Sequence, residues 1–204
     1  GALVHRLKNA RSLVALLAAR RFDAALIGPT AAADAGLIDQ VETVLAAALP
    51  TALDADVLTV FAGAADRLAA LIQAPAVITP NGGEFSHLFP DLVAGADKLA
   101  AARAAPRRLG AVVVLKGADT VIADPEGRAL INDNAPLSLA TGGSGDVLVE
   151  LICGLLARGM PNFWSAAAAV WLHGAAAEAW CPGLIAEDLP LAAANAWSAL
   201  GDFG

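Results

Sequence analysis

Cysteine, histidine and methionine are scarce in this chain. Its 204 residues include two cysteines, three histidines, one methionine and no tyrosine. Cys153 and Cys181 lie far apart, with no CxxC motif and no histidine at metal-ligand spacing. This pattern argues against a disulfide framework and a cysteine-based zinc site, and it predicts two thiols buried in the core.

The three histidines are dispersed as well, and we assign none of them to catalysis. They are His5, His87 and His173. His173 lies in an alanine-rich stretch of helical character, which predicts that it packs in the interior with its polar atoms satisfied.

Basic residues are fewer than acidic ones in this chain. The chain has 13 lysines and arginines against 20 aspartates and glutamates, for a net charge of −7. That balance argues against a nucleic-acid groove and against binding to an anionic membrane surface. Any phosphate group must therefore be bound by a local arrangement of backbone and side chains.

No segment has the composition of a membrane span or of a secretory signal. The longest run without charged residues, 159–177, contains proline, asparagine, serine, histidine and glycine, which predicts a buried helix. The first residues show no charged region followed by an apolar core. The sequence therefore predicts a cytoplasmic protein.

Apolar segments of strand and helix character alternate along the chain. With 57% hydrophobic residues, the sequence predicts one globular α/β domain with a largely parallel central sheet. The predicted strands are 24–27, 51–53, 76–79 and 111–115, followed by a hairpin of 119–123 and 128–132. The predicted helices are 11–20, 35–48, 57–71, 96–104, 147–158, 164–180 and 189–200.

A glycine-rich loop, ATGGSGD at 140–146, enters an apolar helix. Glycines allow the backbone to approach a ligand closely, and the first N–H groups of a helix favour an anion, so the loop predicts a phosphate site. Asp146 adds a carboxylate beside the bound anion, which suggests a group that accepts a proton during catalysis. The alternative is that Asp146 is a simple helix cap.

A second segment delivers a lysine to the sheet edge where open α/β sheets bind ligands. The run AVVVLKG at 111–117 is typical of a buried parallel strand that ends in Lys116 and Gly117. Because the hairpin and the glycine-rich loop follow at once, we expect Lys116, the loop amides and Asp146 to converge.

Three further carboxylates admit two interpretations. Asp54 and Asp56 follow a predicted strand and would point to the same side if both stay extended, which invites a metal or acid–base role. Glu84 could organise a metal's water shell in the same way. Capping of the adjacent helices is the first interpretation for all three.

Ordered motifs across most of the chain resemble one family, the dehydratases that repair hydrated NADH and NADPH, within the ribokinase-like superfamily. The segment LDAD at 53–56 resembles the family's LDAD, TPNGGEF at 79–85 resembles TPHPGEF, and LKGADT at 115–120 resembles LKGAGT. The segment ATGGSGDVL at 140–148 resembles ATGGSGDVL closely, and the likeness continues at 154–159, 172–176 and 185–189.

The resemblance implies a ribokinase-like fold whose opening βα units are expected outside this chain, so that residues 1–204 would be one incomplete dehydratase domain. It implies ADP or ATP with Mg²⁺ as cofactors, hydrated NADH or NADPH as substrate, and either a homo-oligomer or fusion to an epimerase domain. Asp146 would be the catalytic base, and Asn81 and Asp146 would face the substrate. The nucleotide would be held by Lys116, Gly117, Ala118, Asp119, Thr120, Gly142, Gly143, Ser144 and Gly145.

Two departures from the family pattern keep other functions open. The family's GPGLG loop is GPTAA at 28–32, and the histidine of TPHPGE is Asn81. Asparagine can hydrogen-bond a substrate but cannot carry a proton near neutral pH. The alternatives are a small-molecule kinase of the same superfamily, such as a pyridoxal kinase, and a nucleotide-binding fragment without turnover.

Overall fold

The computed structural model describes residues 10–29, 31, 35–93, 97–180 and 183–201. These residues contain a six-stranded sheet whose spatial order follows the chain. Strands β1 to β4 pair in parallel, while β5 and β6 add an antiparallel hairpin at one side. The strands are β1 (Ala25–Ile27), β2 (Thr51–Leu53), β3 (Ala76–Ile78), β4 (Val112–Leu115), β5 (Thr120–Ala123) and β6 (Ala129–Asn132).

Helices connect the parallel strands and follow the hairpin. They are α1 (Ala10–Ala19), α2 (Ala35–Ala46), α3 (Asp56–Val60), α4 (Ala65–Leu71), α5 (Gly82–Leu88), α6 (Pro90–Val93), α7 (Lys98–Leu109), α8 (Ser144–Ala157), α9 (Asn162–Glu178) and α10 (Leu189–Ala199). Within the described part of the chain, no helix has both the length and the apolar character that crossing a bilayer requires.

The sheet is buried on both faces because alternate side chains of each strand enter two different clusters. Leu53, Ile78 and Val113 pack on one face against helices α2 to α5 and α7. Ala52 and Val77 pack on the other face against α8 and α9. Burial on both faces explains why β2, β3 and β4 are continuous apolar runs rather than alternating ones.

The predicted α/β class and the predicted strands are confirmed, with bounds shifted by a residue at most. The predicted helix 57–71 is wrong as a single element. It is broken into α3 and α4 at Gly63, whose φ of 66° lies in the left-handed region that ends helices. Helix α7 continues to Leu109, five residues past the predicted end, despite Pro106 within it. Ala96, its predicted start, lies outside the described residues.

Candidate active site

The carboxyl ends of the parallel strands bring a lysine and a buried aspartate together. Asp54, directly after β2, is 1% exposed, and its Oδ1 and Oδ2 lie 3.0 and 3.3 Å from Lys116 Nζ, directly after β4. A buried carboxylate needs such a partner because the loss of hydration is otherwise uncompensated. The pair fixes the Lys116 ammonium group at the edge of the sheet.

This ion pair corrects the capping interpretation of Asp54. Ala55 has a φ of 49°, and α3 begins at Asp56, so the two aspartates are not on one extended strand. No side chain caps the start of α3. The described residues contain no group of three or more His, Cys, Asp or Glu side chains that could hold a metal ion.

Asn81 and Glu84 cap the start of α5 reciprocally. Asn81 Oδ1 accepts a hydrogen bond of 2.9 Å from Glu84 N, and Glu84 Oε2 accepts one of 2.7 Å from Asn81 N. The capping interpretation of Glu84 is therefore confirmed. Glu84 Oε2 also lies 4.0 Å from Lys116 Nζ, so the cap adjoins the ion pair. The amide NH₂ group of Asn81 makes no hydrogen bond with another described residue.

The glycine-rich loop presents backbone donors at the start of α8. Gly143 has a φ of 86° and α8 begins at the next residue. The N–H groups of Gly142, Gly143 and Gly145 donate no hydrogen bond to any residue that the structure describes. Ser144 Oγ donates to Leu139 O at 2.7 Å, which holds the loop in place. These N–H groups are free to bind an anion, as the sequence predicted.

Asp146 does not cap this helix. It is the third residue of α8, and its N–H donates to Gly143 O at 3.1 Å. The start of α8 at Gly143 has no capping hydrogen bond from a side chain. Its half-buried carboxylate makes no hydrogen bond or ion pair with another described residue. The cap interpretation of Asp146 is therefore wrong, and the carboxylate stays available for a ligand.

Lys116 and Gly145 of the glycine-rich loop lie together as expected, whereas Asp146 is not among the residues that line the cavity beside them. A Cβ on Gly145 would lie 3.4 Å from Lys116 Nζ, so the ammonium group adjoins the backbone of the loop. A cavity of about 340 Å³ opens between the two segments. Of the predicted nucleotide residues, its wall includes Lys116, Gly117, Ala118, Thr120, Ser144 and Gly145.

Three predicted nucleotide residues do not line this cavity. Gly142 and Gly143 lie at the exposed start of the loop, and Asp119 points to Lys98 instead. The remaining wall is largely apolar and contains Ala135, Pro136, Leu137, Leu139, Ala140 and Leu148. Backbone donors and a cation beside an apolar wall suit a ligand with a phosphate group and an aromatic base.

His173 also lines the cavity, and sequence reasoning missed it. The residue is 7% exposed, and its Nε2 has no hydrogen-bond partner among the described residues. Burial lowers the pKa of His173 to about 4, a hydrogen bond with the backbone of Ser144 opposes this, and the Lys116 charge lowers it further. The predicted packing role holds, but the prediction that its polar atoms are satisfied is wrong. The likeness at 172–176 was the available sequence signal.

Because the pKa of His173 is lower in the folded protein than in the unfolded chain, we expect the free energy of unfolding to decrease as the pH is lowered. The stability that neutral His173 contributes is complete above about pH 6.5 and is lost between pH 6.5 and pH 4, because the unfolded chain takes up the proton first. Between pH 7.5 and 5 the loss should be about 2 kcal/mol. Chemical denaturation of His173→Gln should show a flatter pH dependence than wild type. The exposed His87→Gln control should retain the wild-type slope, and an equal slope in H173Q would contradict the assignment.

Gly28, the first residue of the GPTAA loop, lies close against the backbone of Asp54. Its φ is 138°, and a Cβ there would lie 1.8 Å from the Asp54 carbonyl oxygen. Only glycine fits this contact between the ends of β1 and β2. Thr30 and Ala32, the positions where the family's glycines are replaced, lie outside the described residues.

A mostly parallel sheet with a lysine and a glycine-rich loop at its carboxyl edge is the architecture of an α/β protein of ribokinase-like fold. A family model described as NAD(P)H-hydrate dehydratase, Carb_kinase, matches residues 1–195. The chain belongs to this NAD(P)H-hydrate dehydratase family, which confirms the resemblance seen in its motifs.

Individual relatives agree with the family. The chain is 45% identical over 159 residues to a bifunctional NAD(P)H-hydrate repair enzyme of Gloeobacter violaceus, covering 78% of this chain and 30% of the relative. The ADP/ATP-dependent NAD(P)H-hydrate dehydratase of Bacillus subtilis, co-crystallised with ATP and Mg²⁺, superposes with a TM-score of 0.78 at 30% identity, covering 89% of this chain and 68% of that one. A ribokinase-like superfamily protein of Enterococcus faecalis gives 0.76 at 26% identity, covering 93% and 68%.

Proposed function

We propose that this protein removes water from hydrated NADH and NADPH in a reaction driven by ADP or ATP, which returns a damaged cofactor to use. One arrangement supports this above all. The glycine-rich loop has free N–H groups at Gly142, Gly143 and Gly145, contacts the Lys116 ammonium group at Gly145, and is followed by the Asp146 carboxylate, which makes no hydrogen bond or ion pair with a described residue. In a chain of the dehydratase family, that arrangement fits phosphoryl transfer to a substrate hydroxyl.

The chemistry requires a better leaving group than hydroxide. In the proposed reaction Asp146 accepts the proton of the ring hydroxyl while that oxygen bonds to the terminal phosphorus of the nucleotide. The bond from that phosphorus to the nucleotide's bridging oxygen breaks, and the loop amides stabilise the charge on the transferred group. Inorganic phosphate then leaves with the former hydroxyl oxygen, a neighbouring C–H proton passes to water, and the electron pair of that C–H bond restores the ring double bond.

The remaining residues bind and orient. Lys116, Gly117, Ala118 and Thr120 would hold the nucleotide along the cavity with Gly145. Asn81 would offer its amide NH₂ group to the nicotinamide side. Since the described residues have no cage of carboxylates, Mg²⁺ would enter bound to the nucleotide phosphates and keep several waters, as this ion commonly does.

The wider assignments are also proposals. The chain spans about 30% of the length of the Gloeobacter relative, whose name describes it as bifunctional. A fused epimerase domain, a homo-oligomer and a cytoplasmic location remain predictions from the sequence. That residues 1–204 form one dehydratase domain is supported by the continuity of the six-stranded sheet.

Calorimetry with ADP and ATP tests the nucleotide site on the protein at its natural length. We expect saturable binding of one nucleotide per chain. An absence of binding at millimolar nucleotide would contradict the dehydratase and the kinase alternatives together. If nucleotide binds, the product distinguishes the two, because a kinase would leave a stable phosphorylated small molecule.

A further inference from the structure

The loop between β4 and β5, residues 116–119, carries a negative charge at a position where the family segment LKGAGT has glycine. That residue is Asp119, between β4 and β5. Its neighbours Lys116, Gly117, Ala118 and Thr120 line the 340 Å³ cavity, but Asp119 does not. Its side chain is 61% exposed and turns away from the cavity.

Lys98 holds Asp119 in this orientation. Lys98 is the first residue of α7, and its Nζ lies 2.7 Å from Asp119 Oδ1. The same ammonium group donates to the backbone carbonyl of Asp119, so it fixes the main chain of the loop as well as the carboxylate. The hydrogen bond from Lys98 holds the pKa of Asp119 below its usual value.

The ammonium group also lies against the neighbouring glycine of the loop. A Cβ on Gly117 would approach Lys98 Nζ to 2.8 Å, so the absence of a side chain at Gly117 leaves room for the ammonium group. Lys98 thus contacts the loop at two residues from outside the cavity, while Lys116 contacts the site from within.

Charge makes this contact relevant to ligand binding. ADP and ATP carry several negative charges, and a carboxylate on the loop that holds them repels them over about a Debye length, roughly 10 Å at 0.1 M salt. An ammonium group in contact with the carboxylate cancels most of that repulsion. Without it, the carboxylate would also be able to turn towards the cavity.

We propose that Lys98 is a positioning residue for nucleotide binding, which neutralises Asp119 and fixes its carbonyl so that the loop accepts an anionic ligand. The inference rests on the proposed function, since it concerns the nucleotide of that reaction. It treats Lys98 and Asp119 as one unit: loss of the lysine alone weakens binding, whereas loss of both restores it.

Calorimetry with ADP on four proteins tests this coupling. Lys98→Met should raise the Kd for ADP about three- to tenfold at low ionic strength, and the effect should shrink in 0.5 M salt because it is electrostatic. Asp119→Gly should bind ADP more tightly than wild type, because a negative charge is lost and Lys98 is released. The K98M/D119G double variant should return to within about twofold of wild type.

Two controls separate this role from loss of folding or of general charge. Arg103→Met removes a cation from the same helix, where Arg103 donates to Gly127 O at 3.1 Å, and should leave the Kd unchanged. Lys98→Arg keeps the charge and should bind as wild type does. If K98M unfolds, Lys98→Gln is measured in its place.

The outcomes distinguish failure of the Lys98 positioning role from failure of the proposed function. An unchanged Kd in K98M, or a double variant as weak as K98M, overturns the positioning role while wild-type ADP binding supports the nucleotide site. A wild-type protein that binds no ADP overturns the proposed function and this inference with it.

Discussion

Asp146→Asn is expected to lower the rate of dehydration by about 10² to 10⁴ while nucleotide affinity stays within a few fold of wild type. The amide keeps the size of the carboxylate but cannot accept the hydroxyl proton. We expect affinity to be retained because the proposed function assigns the phosphates to the free N–H groups of Gly142, Gly143 and Gly145 rather than to the carboxylate. Steady-state kinetics and calorimetry on the same preparation separate the two effects.

Glu150→Gln is the matched control for this variant. Glu150 is an exposed carboxylate one turn further along α8, so its loss changes the charge of the helix by the same amount. We expect wild-type turnover for E150Q. Turnover near wild type in D146N would remove Asp146 from the reaction and leave it only a favourable charge near the helix N-terminus.

Lys116→Met is expected to lower both stability and nucleotide affinity. Asp54 is 1% exposed and hydrogen-bonds Lys116 through both oxygens, so the variant leaves a buried carboxylate without its cation. Removing one partner of a buried ion pair costs about 3–5 kcal/mol. The loss of a charged contact to phosphate should weaken ADP binding by about ten- to a hundredfold.

The double variant D54N/K116M separates these two effects. Asparagine removes the uncompensated charge, so most of the free energy of unfolding should return in chemical denaturation. ADP affinity should stay low, because the ammonium group beside Gly145 is still missing. A K116M protein as stable as wild type would contradict a stabilising role for the ion pair between Asp54 and Lys116.

Local patterns predicted the sheet well and the short helices poorly. Strands β2 to β4 are recognisable because each is a short apolar run that ends at a turn-forming or charged residue. Helix α5 was predicted only as the helix that Glu84 would cap, without an end, because it is seven residues long and begins with two glycines, Gly82 and Gly83. Its start was nevertheless visible, since Asn81 followed three residues later by Glu84 is the pattern of a capping box.

The site was predictable where the family motifs or the chain order bring residues together, and not where distant side chains meet. The glycine-rich loop follows Lys116 after the β5–β6 hairpin, and the contact of Lys116 with Gly145 is confirmed. The contact between Asp54 and Lys116 joins residues 62 positions apart, and only the order of the parallel strands creates it. His173 reaches the same cavity from α9, and its helical pattern gives no sign of that neighbour.

The most direct test of the proposed function follows the repair of hydrated NADH by the protein at its natural length. With ADP or ATP and Mg²⁺ present, NADH absorbance should return and inorganic phosphate should appear in equal amounts, and both should require nucleotide. Under the same conditions D146N should show neither at a comparable rate. A protein that binds nucleotide in calorimetry but regenerates no NADH with either nucleotide would contradict the dehydratase assignment.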